Sequence, residues 1–295
     1  MIKKSVGRKV YEVINVIILI LISFIMLYPF YYCIIASLSD NASVLAGRIG
    51  LWPIGTNIKS YKLVFGYEAV FHAYGNTILY TVLGTAISLA LTVLGAYPLS
   101  RKDFYGRGVL TVFFSFTMFF SGGLIPTFLV VNALGMYNTI WAVMVPSAVS
   151  TMNMIIMRTF FQGIPDALEE AAVVDGATEM QTLRKIILPL SLPSIMTIGL
   201  FYAVGQWNSW FSAMIYLQDS KKYPLQLVLR QIVLQNQVNE IIGTMAGSLT
   251  EDATQMVSEN IKYTVIIVAV FPILCVYPFV QKYFVKGVMV GSIKG

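Results

Sequence analysis

Charged residues are scarce in this sequence. They make up 12% of its 295 residues, whereas 57% are hydrophobic, and the mean hydropathy is +0.74. A soluble globular protein carries about 25% charged residues, so this chain has too little polar surface to cover itself in water. The composition therefore excludes a soluble globular protein and indicates a protein that lies in a lipid bilayer.

Side chains that bind metals, nucleotides or moving protons are also few. His72 is the only histidine, and Cys33 and Cys275 lie in apolar runs without metal-ligand spacing, so we predict no metal site. The dipeptide Gly-Lys is absent, which excludes a P-loop for ATP. No Asp, Glu, Lys, Arg or His lies near the middle of an apolar run, which disfavours an ion-coupled transporter. We therefore predict no catalytic residue and no cofactor in this chain.

What the sequence has instead is six long apolar runs. A helix needs about 20 apolar residues to cross a bilayer. Lipid offers backbone groups no partner outside the segment, so each run is predicted to be a helix. We expect an all-α polytopic membrane protein in which residues 1–295 form a single domain with six transmembrane helices. The apolar runs are residues 13–37, 75–100, 108–131, 139–161, 190–217 and 263–280.

The distribution of basic residues predicts the orientation. If the N-terminus is cytoplasmic, 13 of the 20 basic residues fall in cytoplasmic segments, whereas the acidic residues divide seven and seven. Cytoplasmic loops carry an excess of Lys and Arg. Both termini are therefore predicted to be cytoplasmic, with residues 1–12, 162–189 and 281–295 on that side and the loop 218–262 outside. The excess of basic residues in the cytoplasmic segments then accounts for the net charge of +6, so the charge is no evidence for a nucleic-acid partner.

A charged segment separates the fourth and fifth apolar runs. Asp166 is predicted to cap a helix, with Glu169 completing a capping box. Gly176 can adopt the left-handed conformation that ends such a helix, and Thr178 with Gln181 predicts a second capping box. Two short helices should therefore meet at Gly176. Local chemistry leaves two interpretations open: a loop on lipid headgroups, or an element that docks in a groove of a partner.

This segment resembles the EAA loop of ABC-importer permeases, in which Glu-Ala-Ala is followed by Gly and then by Ile-x-Leu-Pro. Three residues separate Ala172 from Gly176, and nine separate Gly176 from Ile186, as in that motif. In this family the segment is a coupling helix that sits in a cleft of a separate ATPase subunit. The resemblance implies the type I ABC-importer permease fold and favours the docking interpretation. The residues it marks for ATPase coupling are Glu170, Ala171, Ala172, Asp175, Gly176, Ile186, Leu188 and Pro189.

Other segments resemble the second permease subunit of maltose-type and polysaccharide multiple-sugar importers. The resemblance implies import of a carbohydrate, most simply an oligosaccharide, across the bacterial plasma membrane. It also implies a homologous second permease, two ATPase subunits that bind ATP and Mg²⁺, and an extracellular sugar-binding protein. An ABC permease for a non-sugar solute would keep the EAA loop, whereas a secondary transporter or channel leaves it unexplained. The resembling segments are residues 121–127, 138–142, 157–161, 206–211 and 283–287.

The C-terminal tail resembles a segment that, in the maltose-type system, reaches between the two ATPase subunits. Residues 281–295 include small side chains and no acidic group, which is compatible with threading an interface. A frayed terminus is the ordinary alternative. The residues that the resemblance marks as ATPase contacts are Lys286, Gly287, Lys294 and Gly295.

Amide, hydroxyl and indole groups gather near the middle of the fifth apolar run. Sugars present hydroxyls and apolar C–H faces, which suit amides and aromatic planes. Asn and Gln also bond across helix interfaces in membranes, so two roles stay open, contact with a sugar and packing between helices. The candidate substrate-path residues are Gln206, Trp207, Asn208, Ser209 and Trp210.

Two further patterns concern packing. Small residues within the second and fifth apolar runs predict close approach of these helices. They are Gly84, Ser88, Gly95, Gly199, Ala203 and Gly205. Residues 225–233 place apolar side chains at helical spacing with polar ones between them, which predicts an amphipathic helix. Two locations are open for this helix. It lies on the membrane surface or against a partner, or it lies on the protein's own outer face.

Overall fold

All regular structure is helical in the part of the chain that the computed structural model describes, residues 6–234 and 260–278. The predicted all-α class is therefore confirmed for this part. The predicted tail contacts Lys286, Gly287, Lys294 and Gly295 lie outside the described residues. The helices are α1 (Val6–Leu38), α2 (Asn41–Leu45), α3 (Lys59–Gly66), α4 (Glu68–Ser100), α5 (Arg107–Phe119), α6 (Leu124–Ala133), α7 (Trp141–Met144), α8 (Thr151–Gln162), α9 (Asp166–Val174), α10 (Glu179–Thr182), α11 (Leu188–Leu190), α12 (Leu192–Trp207), α13 (Phe211–Tyr216), α14 (Leu225–Leu234) and α15 (Asn260–Pro278).

The described residues belong to two compact units, the first drawn from residues 1–68 and 229–271 and the second from 69–228 and 272–295. In the first unit, α1 is apolar and is exposed along most of its length, up to the buried residues 35–37. Such a helix would be unstable in water and is stable in lipid. Its C-terminal end is tied to the start of α15, because the Asn260 side-chain amide donates to the Ser39 carbonyl at 2.6 Å.

In the second unit, α4 contributes side chains to two core clusters. Its buried residues recur every three or four positions, and Gly84, Ser88, Thr92 and Ala96 form one narrow face of small side chains. The side chain of Gln206 on α12 lies over Gly84. Small residues let helix backbones approach closely in membranes. The close packing predicted at Gly84 and Ser88 is confirmed. The same prediction is wrong at Gly205, where a Cβ would meet nothing within 4 Å among the described residues.

We expect a methyl group at Gly84 to destabilise this packing. A Cβ there would lie 2.8 Å from Gln206 Cδ, so the Gln206 side chain must move, at a cost of about 1–3 kcal/mol typical of overpacking. Gly75→Ala is the matched control on the same helix, because its Cβ would meet nothing within 4 Å. Thermal melting of the purified protein checks this. A Gly84→Ala variant that melts with or above Gly75→Ala would contradict it.

The amphipathic helix α14 packs on the protein itself. Leu225, Leu227 and Ile232 are buried, and Leu227 belongs to a core cluster with Tyr80 and Met144. The backbone N–H of Leu225 donates to Thr77 Oγ1 at 2.7 Å. Of the two alternatives, the helix on the protein's own outer face is the one that the structure supports.

Three of the predicted helices are interrupted. Run 108–131 is divided into α5 and α6, which are bent by 117° at a break where Gly123 has a φ of +82°. Run 139–161 is broken between α7 and α8, where Pro146 supplies no backbone donor. Run 190–217 is broken after α12. By length and composition, three described helices could cross a bilayer alone, and up to five spans result if each of two bent pairs is one span.

Candidate functional site

The first candidate site is the docking element, residues 165–190, in which α9 and α10 meet at Gly176 as predicted. Gly176 has a φ of +73°, in the left-handed region. Its N–H donates to the Val173 carbonyl at 3.0 Å, and the N–H of Ala177 donates to the Ala172 carbonyl at 2.9 Å. These two bonds form a Schellman motif, which satisfies carbonyls at a helix end. The backbone itself therefore fixes the angle between α9 and α10.

Of the two predicted capping boxes, one is confirmed and one is wrong. Thr178 Oγ1 accepts from the N–H of Gln181, and Gln181 Oε1 accepts from the N–H of Thr178. Asp166, in contrast, is the first residue of α9, and Pro165 occupies the cap position. The Asp166 carboxylate accepts from Lys102 Nζ at 2.7 Å, which lowers its pKa. The Asp166 side chain therefore binds Lys102, and no side chain caps α9.

One side of the docking element is exposed and combines acidic, small and apolar groups. Glu170, Ala171, Asp175 and Gly176 all face outward, and the adjacent Val174 side chain is 87% exposed. No ion pair of Glu170 occurs within the described residues. A protruding helix end of this composition suits contact with another protein.

The other residues of the motif hold the element in place. Ala172 is buried. Leu183 and Ile187 belong to the main core cluster, against which Ile186 and Leu188 also pack. Pro189 is exposed near the start of α11. The motif residues thus fall into two groups. Glu170, Ala171, Asp175 and Gly176 face outward, whereas Ala172, Ile186 and Leu188 pack against the protein.

Tyr97, in the last turn of α4, and Arg101, directly after it, contact the docking element. The sequence prediction missed both residues. Arg101 forms an ion pair with Glu169 of α9, and its guanidinium lies 4.6 Å from the centroid of the Tyr97 ring. Tyr97 Oη donates to Glu179 Oε2 of α10 at 2.8 Å. Burial lowers the pKa of Arg101, and the charges around it oppose this shift. Two basic residues directly after an apolar run were the available signal, but nothing local indicated their partners.

The second candidate site is a cavity of about 420 Å³ in the second unit. This volume lies within the range of about 300–1,000 Å³ typical of small-molecule pockets. Gln206, Asn208, Ser209 and Trp210 line it, as predicted together, whereas Trp207 does not. The facing residues that the sequence prediction missed are Ser147, Ser150 and Asn153, and the remaining lining residues are Phe201, Tyr202, Gly205, Phe211 and Ser212.

Two helix breaks face this cavity. Ser147 and Ser150 lie in the break between α7 and α8, and Asn208 to Trp210 form the break between α12 and α13. Non-helical backbone at membrane depth is tolerated where it is buried in protein or lines a water-filled cavity. Side chains satisfy it here, because Ser150 N–H donates to Tyr202 Oη at 3.0 Å and Asn208 Nδ2 donates to the Val204 carbonyl at 2.9 Å.

The cavity lining is polar and uncharged. It contains amides, hydroxyls and four aromatic side chains, and no Asp, Glu, Lys, Arg or His. Gln206 is only 5% exposed, and its Oε1 has no hydrogen-bond partner in the part of the chain that the structure describes. An unpaired buried acceptor is costly, so the site is suited to a ligand that donates hydrogen bonds.

A family model matches residues 85–290, which are more than half of the chain. Its description is "Binding-protein-dependent transport system inner membrane component". The match covers the docking element and all the residues that line the cavity.

Individual relatives match along nearly the whole chain. A polygalacturonan/rhamnogalacturonan transport system permease protein of Bacillus subtilis is 42% identical, covering 94% of this chain and 96% of its own. Protein LplC of the same organism is 41% identical, covering 97% and 96%. Among solved structures, a bacterial ABC transporter involved in the import of the acidic polysaccharide alginate has a chain that is 32% identical, with a TM-score of 0.85, covering 96% of this chain and 100% of that one.

Proposed function

The chain belongs to the family of binding-protein-dependent transport system inner membrane components, and from that premise we propose that it imports an oligosaccharide as one subunit of an ATP-driven transporter. The family member is a membrane-embedded permease component of an ABC transporter and is not itself catalytic. We infer that two separate ATPase subunits bind ATP and Mg²⁺, that a homologous second permease completes the path, and that an extracellular binding protein delivers the sugar.

We propose a single membrane domain with six spans and both termini in the cytoplasm. The spans are α1, α4, the pair α5 and α6, the pair α7 and α8, the pair α12 and α13, and α15. Each overlaps one of the six apolar runs. By length and composition, α1, α4, α15 and the pair α5 and α6 are candidate spans, whereas the second bent pair joins residues 179–190 to α12 at 83°. Broken spans fit this assignment, because transporters often form substrate sites at discontinuous helices near the bilayer midplane.

The observation that carries the proposal is the shape of the docking element. The Schellman motif at Gly176 and the capping box at Thr178 hold two short helices at a fixed angle, with Glu170 and Val174 exposed on the outside. A rigid, protruding element of this kind suits a cleft of an ATPase subunit. The tail residues 286–295 are proposed as a second ATPase contact on the resemblance alone.

The cavity supports an oligosaccharide as substrate. Its amides and hydroxyls can exchange hydrogen bonds with sugar hydroxyls, while Trp210 and Phe211 offer apolar surfaces to C–H faces. Relatives named for polygalacturonan/rhamnogalacturonan transport and for alginate import act on polymers of sugars. We propose that Gln206, Asn208, Ser209 and Trp210 form part of the substrate path.

Purification of the complex from membranes tests the proposal. The chain should copurify with an ATPase, and the reconstituted ATPase activity should rise when the binding protein and an oligosaccharide are added together. Oligogalacturonides, alginate oligosaccharides and neutral oligosaccharides are the sugars to compare, with free amino acids as the control. Absence of a copurifying ATPase, or stimulation by amino acids and by no sugar, would refute it.

A further inference from the structure

Arg101 follows directly on the last residue of α4 and is enclosed by groups from the docking element. The Arg101 and Glu169 side chains are only 15% and 18% exposed. Solvent screens such a pair much less than an exposed one. Removing one partner would leave the other charge buried and uncompensated, which is strongly destabilising locally. The pair therefore holds α9 against the end of α4.

Tyr97 extends the same connection to the other half of the docking element. The Tyr97 ring contacts the Arg101 guanidinium, and the Tyr97 hydroxyl donates a hydrogen bond to Glu179 of α10. Glu169 lies before Gly176 in the sequence and Glu179 lies after it. Both arms of the docking element are thus tied to the last turn of α4, and Leu183 packs beside Tyr97 in the same core cluster.

Residues earlier in α4 contact the residues that line the cavity. Thr92 Oγ1 is hydrogen-bonded to Tyr202 Oη at 2.7 Å, and Tyr202 lines the cavity. Gly84, farther along α4, accommodates the side chain of Gln206. From Gly84 to Arg101 the chain advances about 25 Å at 1.5 Å per helical residue. One continuous helix therefore connects the docking element with the residues around the cavity.

We propose that Arg101 is a positioning residue that transmits movement of the docking element to α4, and through α4 to the cavity wall. The proposal rests on the proposed function, since it assumes that an ATPase moves the docking element. On this proposal, Arg101 acts through its contacts with Glu169 and Tyr97 and not by contact with the ATPase or the sugar. Its substitution should therefore separate ATPase binding from sugar import.

Lys102 provides a matched control one residue away. Its ion pair with Asp166 joins the same two elements, but the two side chains are 83% and 62% exposed. Exposed ion pairs contribute little to stability, because solvent screens them and holding two flexible side chains costs entropy. Loss of Lys102 should therefore change transport little, although it removes the same kind of charge from the same place.

The experiment uses the complete complex in proteoliposomes and compares Arg101→Ala, Arg101→Lys and Lys102→Ala. We expect Arg101→Ala to keep the copurified ATPase while sugar uptake and sugar-stimulated ATP hydrolysis both fall about tenfold, within the range of coupling effects between distant sites. Arg101→Lys keeps the charge that pairs with Glu169, so its uptake should lie between those of Arg101→Ala and the wild type. Lys102→Ala should import at nearly the wild-type rate.

Three results would overturn the inference. They are wild-type uptake by Arg101→Ala, an equal loss of uptake in Lys102→Ala, and a loss in Arg101→Ala that merely follows a lower melting temperature or a lower content of copurified ATPase. Failure of the proposed function would look different, because the wild-type chain would then bring no ATPase with it.

Discussion

Replacing Gly176 by leucine should reduce sugar import to background while the subunit still inserts in the membrane. Gly176 is exposed, with a φ of +73°, and a Cβ added there would meet nothing within 4 Å among the described residues. The space around it is therefore open in this protein and, on the proposed function, is filled by the ATPase cleft. A leucine side chain would occupy that space and keep the docking element out of the cleft.

Gly176→Ala separates obstruction from backbone strain. Placing a residue other than glycine in the left-handed conformation costs about 1–2 kcal/mol of folding free energy. Alanine and leucine share this cost, and only leucine adds a bulky side chain. We expect Gly176→Ala to retain much more uptake than Gly176→Leu at equal amounts of membrane-inserted protein. Uptake is measured in vesicles, and the amount of copurified ATPase is measured alongside. Wild-type import by Gly176→Leu, or equal loss in the two variants, would contradict assignment of Gly176 to the ATPase contact.

The parts of the site that were predicted correctly depend on residues close in sequence. The helix end at Gly176 and the capping box of Thr178 with Gln181 each involve hydrogen bonds that span five residues or fewer. Such bonds depend on residue type and spacing, which a single sequence displays. The capping box of Asp166 with Glu169 was predicted by the same logic and was wrong: Pro165 occupies the cap position, and the Asp166 carboxylate accepts from Lys102, 64 positions away.

The breaks in the helices could not be predicted from hydrophobic pattern. An apolar run has the same composition whether its helix is continuous or broken, and proline is common in membrane helices. The break before α8 depends on Tyr202, whose hydroxyl accepts the N–H of Ser150, 52 residues away in sequence. Arg101 and Glu169 are likewise joined only by the fold. The six apolar runs were visible in sequence, whereas the cavity between two breaks required the structure.

Gln206 offers a way to distinguish a substrate contact from helix packing. It is buried on α12 with its side chain over Gly84, and its Oε1 has no hydrogen-bond partner. An unpaired buried acceptor costs about 1–3 kcal/mol. A residue needed only for packing would be better replaced by an apolar side chain of similar length. On the proposed function, a sugar hydroxyl supplies the missing donor during transport.

We therefore expect Gln206→Met to separate stability from transport. Methionine has a similar length and no unpaired oxygen, so the complex should melt at the wild-type temperature or above it, because the cost of the buried acceptor is gone. Sugar uptake should fall about tenfold, which corresponds to the loss of about 1.4 kcal/mol, roughly one hydrogen bond. Thr197→Ala is the control. Thr197 lies on the same helix outside the cavity lining, and its hydroxyl donates to the backbone carbonyl of Pro193, one turn earlier in that helix. Unchanged uptake in Gln206→Met, or a loss of uptake that follows a lower melting temperature, would assign Gln206 to packing.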